Sequence, residues 1–136
     1  MTQAAENGAN DETVSLTVPA NPAYVSVLRT VTASLAARRD FTIEEIDDLR
    51  IAVDEASALL LPHVGAGDSL SAAFGGEANT LTIEVSVPLA EGDEAKPDET
   101  SFAWMVLSAL ADTVTTDATG GRLVLTLTKA RGARSS

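Results

Sequence analysis

The sequence predicts an α/β (α+β) two-layer sandwich, with three helices on one face of a mixed, mostly antiparallel sheet. Three observations carry that prediction. The apolar residues switch between the two-residue period of a strand and the helical period in the order β-α-α-β-β-α-β-β. The outward positions of the strands are Ser, Thr and Glu, so one sheet face is wet, whereas a doubly wound sheet would be apolar on both. A chain of 136 residues, 45% of them apolar, is long enough for one domain with a real core.

Each element has a local reason. Residues 1–12 are small, polar and acidic and read as a flexible leader, 13–130 as the single domain, and 131–136 as a basic tail. Val14, Leu16 and Val18 alternate with Ser15 and Thr17, a strand that Pro19 stops. Asn21 before Pro22 is a good N-cap ahead of a residue whose fixed φ suits a first helical turn. Tyr24, Val27, Leu28, Val31 and Leu35 then form the expected core stripe of a helix to about Arg38, with Ser26, Arg29, Thr30 and Ala33 on the other side.

Thr42-Ile43-Glu44-Glu45 reads as a capping box, with Phe41 and Ile46 placed as its hydrophobic staple. The helix it opens buries Ile46, Leu49, Val53, Ala56 and Leu60, allows an Arg50 to Asp54 pair, and is ended by Pro62 and Gly65. Leu59, Leu60 and Leu61 make its last turn apolar nearly all round, which calls for an apolar cover. Leu70, Ala72 and Phe74, then Leu81, Ile83, Val85 and Val87, alternate about a five-residue connection at 75–79. Residues 88–100, with five acids, one lysine, two prolines and a glycine, read as a solvated, mobile loop. Thr100 or Ser101 can cap a third helix through Leu110, in which Trp104 and Met105 are read as core. Asp117 to Gly121 turns a last hairpin from Thr113-Val114-Thr115 into Leu123, Leu125 and Leu127.

Composition narrows the chemistry. Twenty acids against nine bases give a net charge of −11, which disfavours nucleic acid or an anionic membrane and favours a basic partner. No cysteine is present, so thiol nucleophiles, disulfides and thiolate metal sites are all excluded. One histidine, His63, cannot build a multi-histidine metal site, and its place suits a cation at the negative pole of a helix. Residues 1–12 lack the basic and apolar regions of a secretory signal, and no apolar run approaches the ~20 residues that span a bilayer. A cytoplasmic protein is expected.

The stretches VSLTVPANPAYVSVLR and FTIEEIDDLRIAVDEASALLLPHVG, from Val14 to Gly65, resemble the RsbW and SpoIIAB type of anti-sigma factor. These are serine-protein kinases on the ATPase fold shared by histidine kinases, gyrase and Hsp90, the Bergerat fold. The likeness runs over roughly residues 14–129, and SFAWMVLSALADTV is similar to the actinobacterial variant.

The resemblance implies a nucleotide site, and the departures from it matter more than the matches. Glu55 matches the family's glutamate general base, but the Mg²⁺-holding asparagine four residues on is Leu59, which has no oxygen for a hard cation. The aspartate that receives the adenine amino group aligns with Val87, and the first glycine of that box with Leu89. The phosphate-binding Gly-x-Gly-Leu aligns with Ser101-Phe102-Ala103-Trp104, where side chains replace the glycines that let phosphate approach. No cofactor-binding residue and no metal ligand is expected, and Leu59, Val87, Leu89 and Trp104 are expected to form an apolar plug. Ser57 has no base nearby in sequence and reads as a packing residue. The 88–100 loop takes the place of the ATP lid, where its acids repel a polyanionic nucleotide.

What the resemblance implies is therefore an anti-sigma factor that binds and sequesters a stress or developmental sigma factor, as a homodimer. Ser26, Arg29, Thr30 and Ala33 are its candidate partner face, and an anti-sigma antagonist protein is a further partner. The alternative is an active serine kinase that uses Mg-ATP to phosphorylate such an antagonist, with Glu55 as its only support. A module that binds some other regulator is a third reading, because fold does not fix function.

Overall fold

A computed structural model describes residues 12–65, 67–89 and 97–132. All of the leader but Glu12, most of the tail and the centre of the acidic loop lie outside the described residues. Strand β1 is Val14–Pro19, followed by the 3₁₀ turn Pro22–Tyr24 and helix α1, Val25–Arg38. Helix α2 is Ile43–Leu60, closed by a second 3₁₀ turn, Leu61–His63. The remaining elements are β2 (Ser69–Gly75), β3 (Thr80–Pro88), α3 (Phe102–Leu110), β4 (Thr113–Thr119) and β5 (Arg122–Ala130).

The predicted caps form. The Asn21 side chain accepts from the Ala23 amide at 2.8 Å. Thr42 and Glu45 exchange both bonds of the capping box, at 2.8 and 3.1 Å, which satisfies two of the donors that open α2. Phe41 is buried, and Ile46 packs against the same core. At the far end of α1, the Asp40 amide donates to Ala37 and the Phe41 amide to Ala36, with Asp40 at φ 63°. This is a Schellman closure with aspartate where glycine is usual.

The five strands lie in the order β1-β2-β3-β5-β4, and every pairing is antiparallel, which narrows the expectation of a mixed sheet. Connectivity explains it. After β1 the chain descends along α1 and climbs along α2, so β2 starts where β1 ended and runs the opposite way. The single helix α3 does return β4 parallel to β3, but β5 is inserted between them. One sheet face carries the core, with Leu70, Phe74, Leu81, Ile83, Val85, Leu125 and Leu127 buried against Leu28, Leu49, Val53, Leu60 and Leu107. The other face is the predicted Ser and Thr surface, on which Thr17 bonds Ser71 at 3.3 Å and Thr113 bonds Thr128 at 2.6 Å.

Four expectations are corrected. The buried side of α1 is Val25, Leu28, Thr32 and Ala36, while Tyr24 and Val27 keep 42% and 38% of their surface exposed. The stripe is rotated because α1 must meet α2 as well as the sheet, and small Thr32 and Ala36 allow the close approach. Met105 is 63% exposed and Phe102 75%, since α3 turns only Leu107, Ala103, Trp104 and Leu110 inward. β2 reaches Gly75, so its connection to β3 is residues 76–79. β4 extends through Thr119, and the last turn is Gly120-Gly121 alone, with φ of 60° and 76°, the two positive values a type I′ hairpin turn requires.

Candidate functional site

β1 and β3 end, α2 ends, and β2 and α3 begin, at one pole of the domain. The positions that the family resemblance aligns with nucleotide ligands lie there. Leu59 lies in the last turn of α2 and Val87 at the end of β3, and both belong to the central hydrophobic cluster. Leu89, Ala103 and Trp104 pack against that cluster from its edge. The Leu89 backbone is anchored as well, its amide donating to the Gly121 carbonyl at 2.8 Å.

Ser101 is committed to the start of α3. Its hydroxyl accepts from the Trp104 amide at 3.2 Å and donates to the Asp98 carbonyl at 2.7 Å. The preceding turn is tied by Asp98, whose Oδ1 accepts from the Thr100 hydroxyl at 2.6 Å and the Thr100 amide at 2.9 Å. These two bonds, the hydroxyl's first, stabilise the carboxylate and hold the Asp98 carboxyl below its ordinary range.

The side chains at the aligned positions thus supply hydrocarbon to the core and a cap to a helix. A leucine or valine side chain has no lone pair for a cation or an adenine amino group. Glu55, one turn before Leu59 on α2, is half-buried and makes no hydrogen bond or ion pair among the described residues. His63 stands half-exposed in the 3₁₀ turn that closes α2. Ser57 is 1% exposed, as a packing residue should be, yet its Oγ has no hydrogen-bond partner among the described residues.

The predicted partner face lies on α1 toward the same pole. Ser26 and Thr30 are exposed, and Arg29 and Ala33 half-buried. The Thr30 hydroxyl donates to the Ser26 carbonyl at 3.0 Å, turned back onto its own helix. Arg29 is not a lone cation: its Nη1 meets Asp54 Oδ1 at 2.7 Å, joining α1 to α2. Asp54 is therefore engaged across the helix pair, and Arg50 pairs at 3.6 Å with Asp47 instead of with Asp54. The contact spans 25 residues of sequence, so the local spacing that suggests Arg50 carries no trace of it. Tyr24 of the 3₁₀ turn and Val27, Ile51, Phe102 and Met105 of the helices are exposed as well. Among the described residues, no helix is long and apolar enough to cross a membrane.

Comparison with known proteins places this arrangement. The profile of the histidine kinase-like ATPase domain family matches residues 18–129. The anti-sigma-F factor RsbW of Mycobacterium tuberculosis is 31% identical over 129 residues, an alignment that covers 90% of this chain and 76% of that protein. The serine-protein kinase RsbW of Bacillus subtilis is 39% identical over a shorter stretch of 54 residues, 40% of this chain and 34% of that protein. Among solved structures, the RsbU and RsbW domains of a Mycobacterium tuberculosis protein superpose with a TM-score of 0.62 at 20% identity. That match covers 90% of this chain and 34% of the other. Fold, profile and sequence likeness agree, and the chain belongs to the histidine kinase-like ATPase domain family, in its RsbW group.

Proposed function

We propose that the chain is a cytoplasmic anti-sigma factor that binds and sequesters an alternative sigma factor of the stress or developmental kind, and does so without a nucleotide. The observation that carries this reading is the burial of Leu59 and Val87 in the core, with Leu89 and Trp104 packed against it, where the family resemblance calls for polar ligands and glycines. The relatives named as RsbW anti-sigma and kinase proteins support the sigma factor as partner. A homodimer, an anti-sigma antagonist as second partner, and the absence of direct nucleic-acid or membrane binding belong to the same reading. A charge of −11 favours a basic partner over an anionic polymer.

The proposed contact face is Ser26, Arg29, Thr30 and Ala33, with Asp54 holding the Arg29 guanidinium in place. A planar guanidinium so held still has donors for a partner carboxylate. Competition binding of purified sigma factor between this protein and core polymerase tests it. Arg29→Glu is expected to weaken sigma binding by about tenfold or more, the scale for truncating or reversing a charge within an interface. The double exchange of Arg29→Glu with Asp54→Arg restores the internal pair and is expected to leave recognition impaired. Full recovery of sigma binding in the double exchange would show that the pair serves the fold alone.

One observation favours a second reading, an active serine kinase that phosphorylates an antagonist: Glu55 has no internal partner among the described residues and is free for general-base work. Incubation with labelled Mg-ATP and candidate antagonist proteins separates the readings, since transfer of the γ-phosphate, lost in Glu55→Gln, belongs to the kinase alone.

A further inference from the structure

The opposite pole of the domain, where α1 ends and β1 begins, holds a cleft of about 760 Å³. Arg38 and Arg39, from the last turn and cap of α1, meet Arg131 there, from beyond β5. Two of the three guanidiniums are fixed by backbone carbonyls. Arg39 donates to the Gly76 and Glu77 carbonyls at 3.3 and 3.4 Å, and Arg131 to the Arg39 carbonyl at 3.0 Å. A carbonyl orients a guanidinium without neutralising it. The acids at the rim are Glu12 and Asp40, of which Asp40 stands 3.8 Å from Arg131, so positive charge exceeds negative in the cleft of a strongly acidic protein.

Arg38 is the distinctive member. Arg29, Arg50, Arg122 and Lys129 each have a hydrogen bond or ion pair, whereas among the described residues Arg38 has neither. Part of its role is to complement the negative pole of α1, which any cation there would do. That does not account for the floor, which is apolar: Val14, 41% exposed, with Leu35 and Phe74. One flank of α1 leads into it, since Tyr24, Val27, Val31, Leu35 and Arg38 recur at helical spacing. Its four apolar residues belong, with Leu28, to the stripe whose period predicts burial; Leu28 is buried and Val31 and Leu35 pack on the core, while Tyr24 and Val27 stay open.

We infer that this cleft is a docking site for a segment of a second protein, a peptide that brings carboxylates to Arg38, Arg39 and Arg131 and apolar side chains to Val14 and Leu35. Charge complementarity selects the occupant, because planar forks match carboxylates and a basic segment would be repelled. The apolar floor and the volume exceed what an inorganic anion fills. The cleft lies at the end of α1, beyond the sigma-factor face proposed above, whose last residue, Ala33, adjoins the cleft-lining Ser34 on the helix.

The test uses the whole chain and a short fluorescein-labelled peptide with Glu-Leu-Asp-Leu at its centre, followed by fluorescence anisotropy. A second peptide replaces the acids by lysine. The acidic peptide binds and the basic one does not; Arg38→Glu weakens binding by about tenfold, Val14→Thr by a smaller factor, and the exposed control Arg50→Glu by less than about twofold. Circular dichroism establishes that each variant is folded. Equal binding of the two peptides, or an Arg38→Glu affinity within about twofold of the parent, overturns the proposal. Displacement by inorganic phosphate at constant ionic strength overturns it in favour of a small-anion site. Dissociation of a dimer by Arg38→Glu identifies a second copy as the occupant, and tightening by about tenfold on removing residues 1–11 identifies the chain's own leader; each overturns it as well.

Discussion

Ser57 shows how a single residue can be read correctly from sequence and still hold a surprise. A small side chain is needed where α2 packs, and serine is small, but its Oγ is buried with no hydrogen-bond partner among the described residues. A hydroxyl desolvated without compensation costs free energy that a methyl group does not. Ser57→Ala is therefore expected to raise unfolding stability by about 1 kcal/mol, measured in urea with the m-value unchanged. A loss of stability would mean that the hydroxyl has a partner in solution. At this scale, what sequence reveals is chemistry, not partnership. The departures that the family resemblance implies, no oxygen at Leu59 and side chains at Ser101 and Ala103 where it expects glycine, are visible in the letters because they concern what a single position carries. The Arg29 to Asp54 pair and the meeting of Arg131 with Arg39 are not, because 25 and 92 residues separate the partners and only the packed fold brings them together.

The elements were legible wherever a local rule decides them. Asn21-Pro22 and the Thr42 to Glu45 box set helix starts through bonds that close within a few residues, and both form as the spacing requires. Strand alternation placed every buried residue of β2, β3 and β5. What local rules do not decide is the direction a helix faces. Tyr24 and Val27 fit the apolar period of α1, but the position of α2 turns that period away from the core. Met105 on α3 is left outside for the same reason. Turn lengths fail differently, since Gly75 and Asp117 to Thr119 look like turn residues yet are held in ladders by their partners. The turn glycine that matters between β2 and β3 is Gly76. It sits at φ 110°, and a Cβ there would lie 2.6 Å from the Thr80 carbonyl oxygen, a backbone atom that cannot step aside. Gly76→Ala is thus expected to destabilise the protein by about 2 kcal/mol, the combined effect of a forbidden φ and a forced shift of the hairpin. Gly67, also at positive φ but with open space around its Cβ position, is the comparison: the same substitution there carries only the conformational part.

At the scale of the whole molecule, the two-layer architecture followed from the order of periods and from one wet sheet face, and both hold because they depend on composition summed over many residues. Whether this member of an ATPase-fold family retains a nucleotide is the question that scale poses. In the reading proposed above, the pole that would bind Mg-ATP is part of the core, with Leu59 and Val87 buried and Leu89 and Trp104 lying against them. A ligand that binds only the folded state stabilises it by RT ln(1 + [L]/Kd), about 2.7 kcal/mol at a hundredfold excess over Kd. For a domain of this size that corresponds to a rise in Tm of roughly 8 °C. Millimolar Mg-ATP is expected to move Tm by less than about 1 °C, in the parent and in Glu55→Gln alike, and Glu55→Gln itself is expected to change stability by no more than about 0.5 kcal/mol. Leu59→Asn makes the test sharper, because it supplies the amide oxygen that the family resemblance expects at that position. If the pole is packed hydrocarbon, that amide enters the core unpaired, stability falls by about 2 kcal/mol or more, and Mg-ATP still produces no shift. If a nucleotide site persists there with divergent ligands, the same variant gains a ligand-dependent rise in Tm, and the binding-only reading fails together with the plug that supports it.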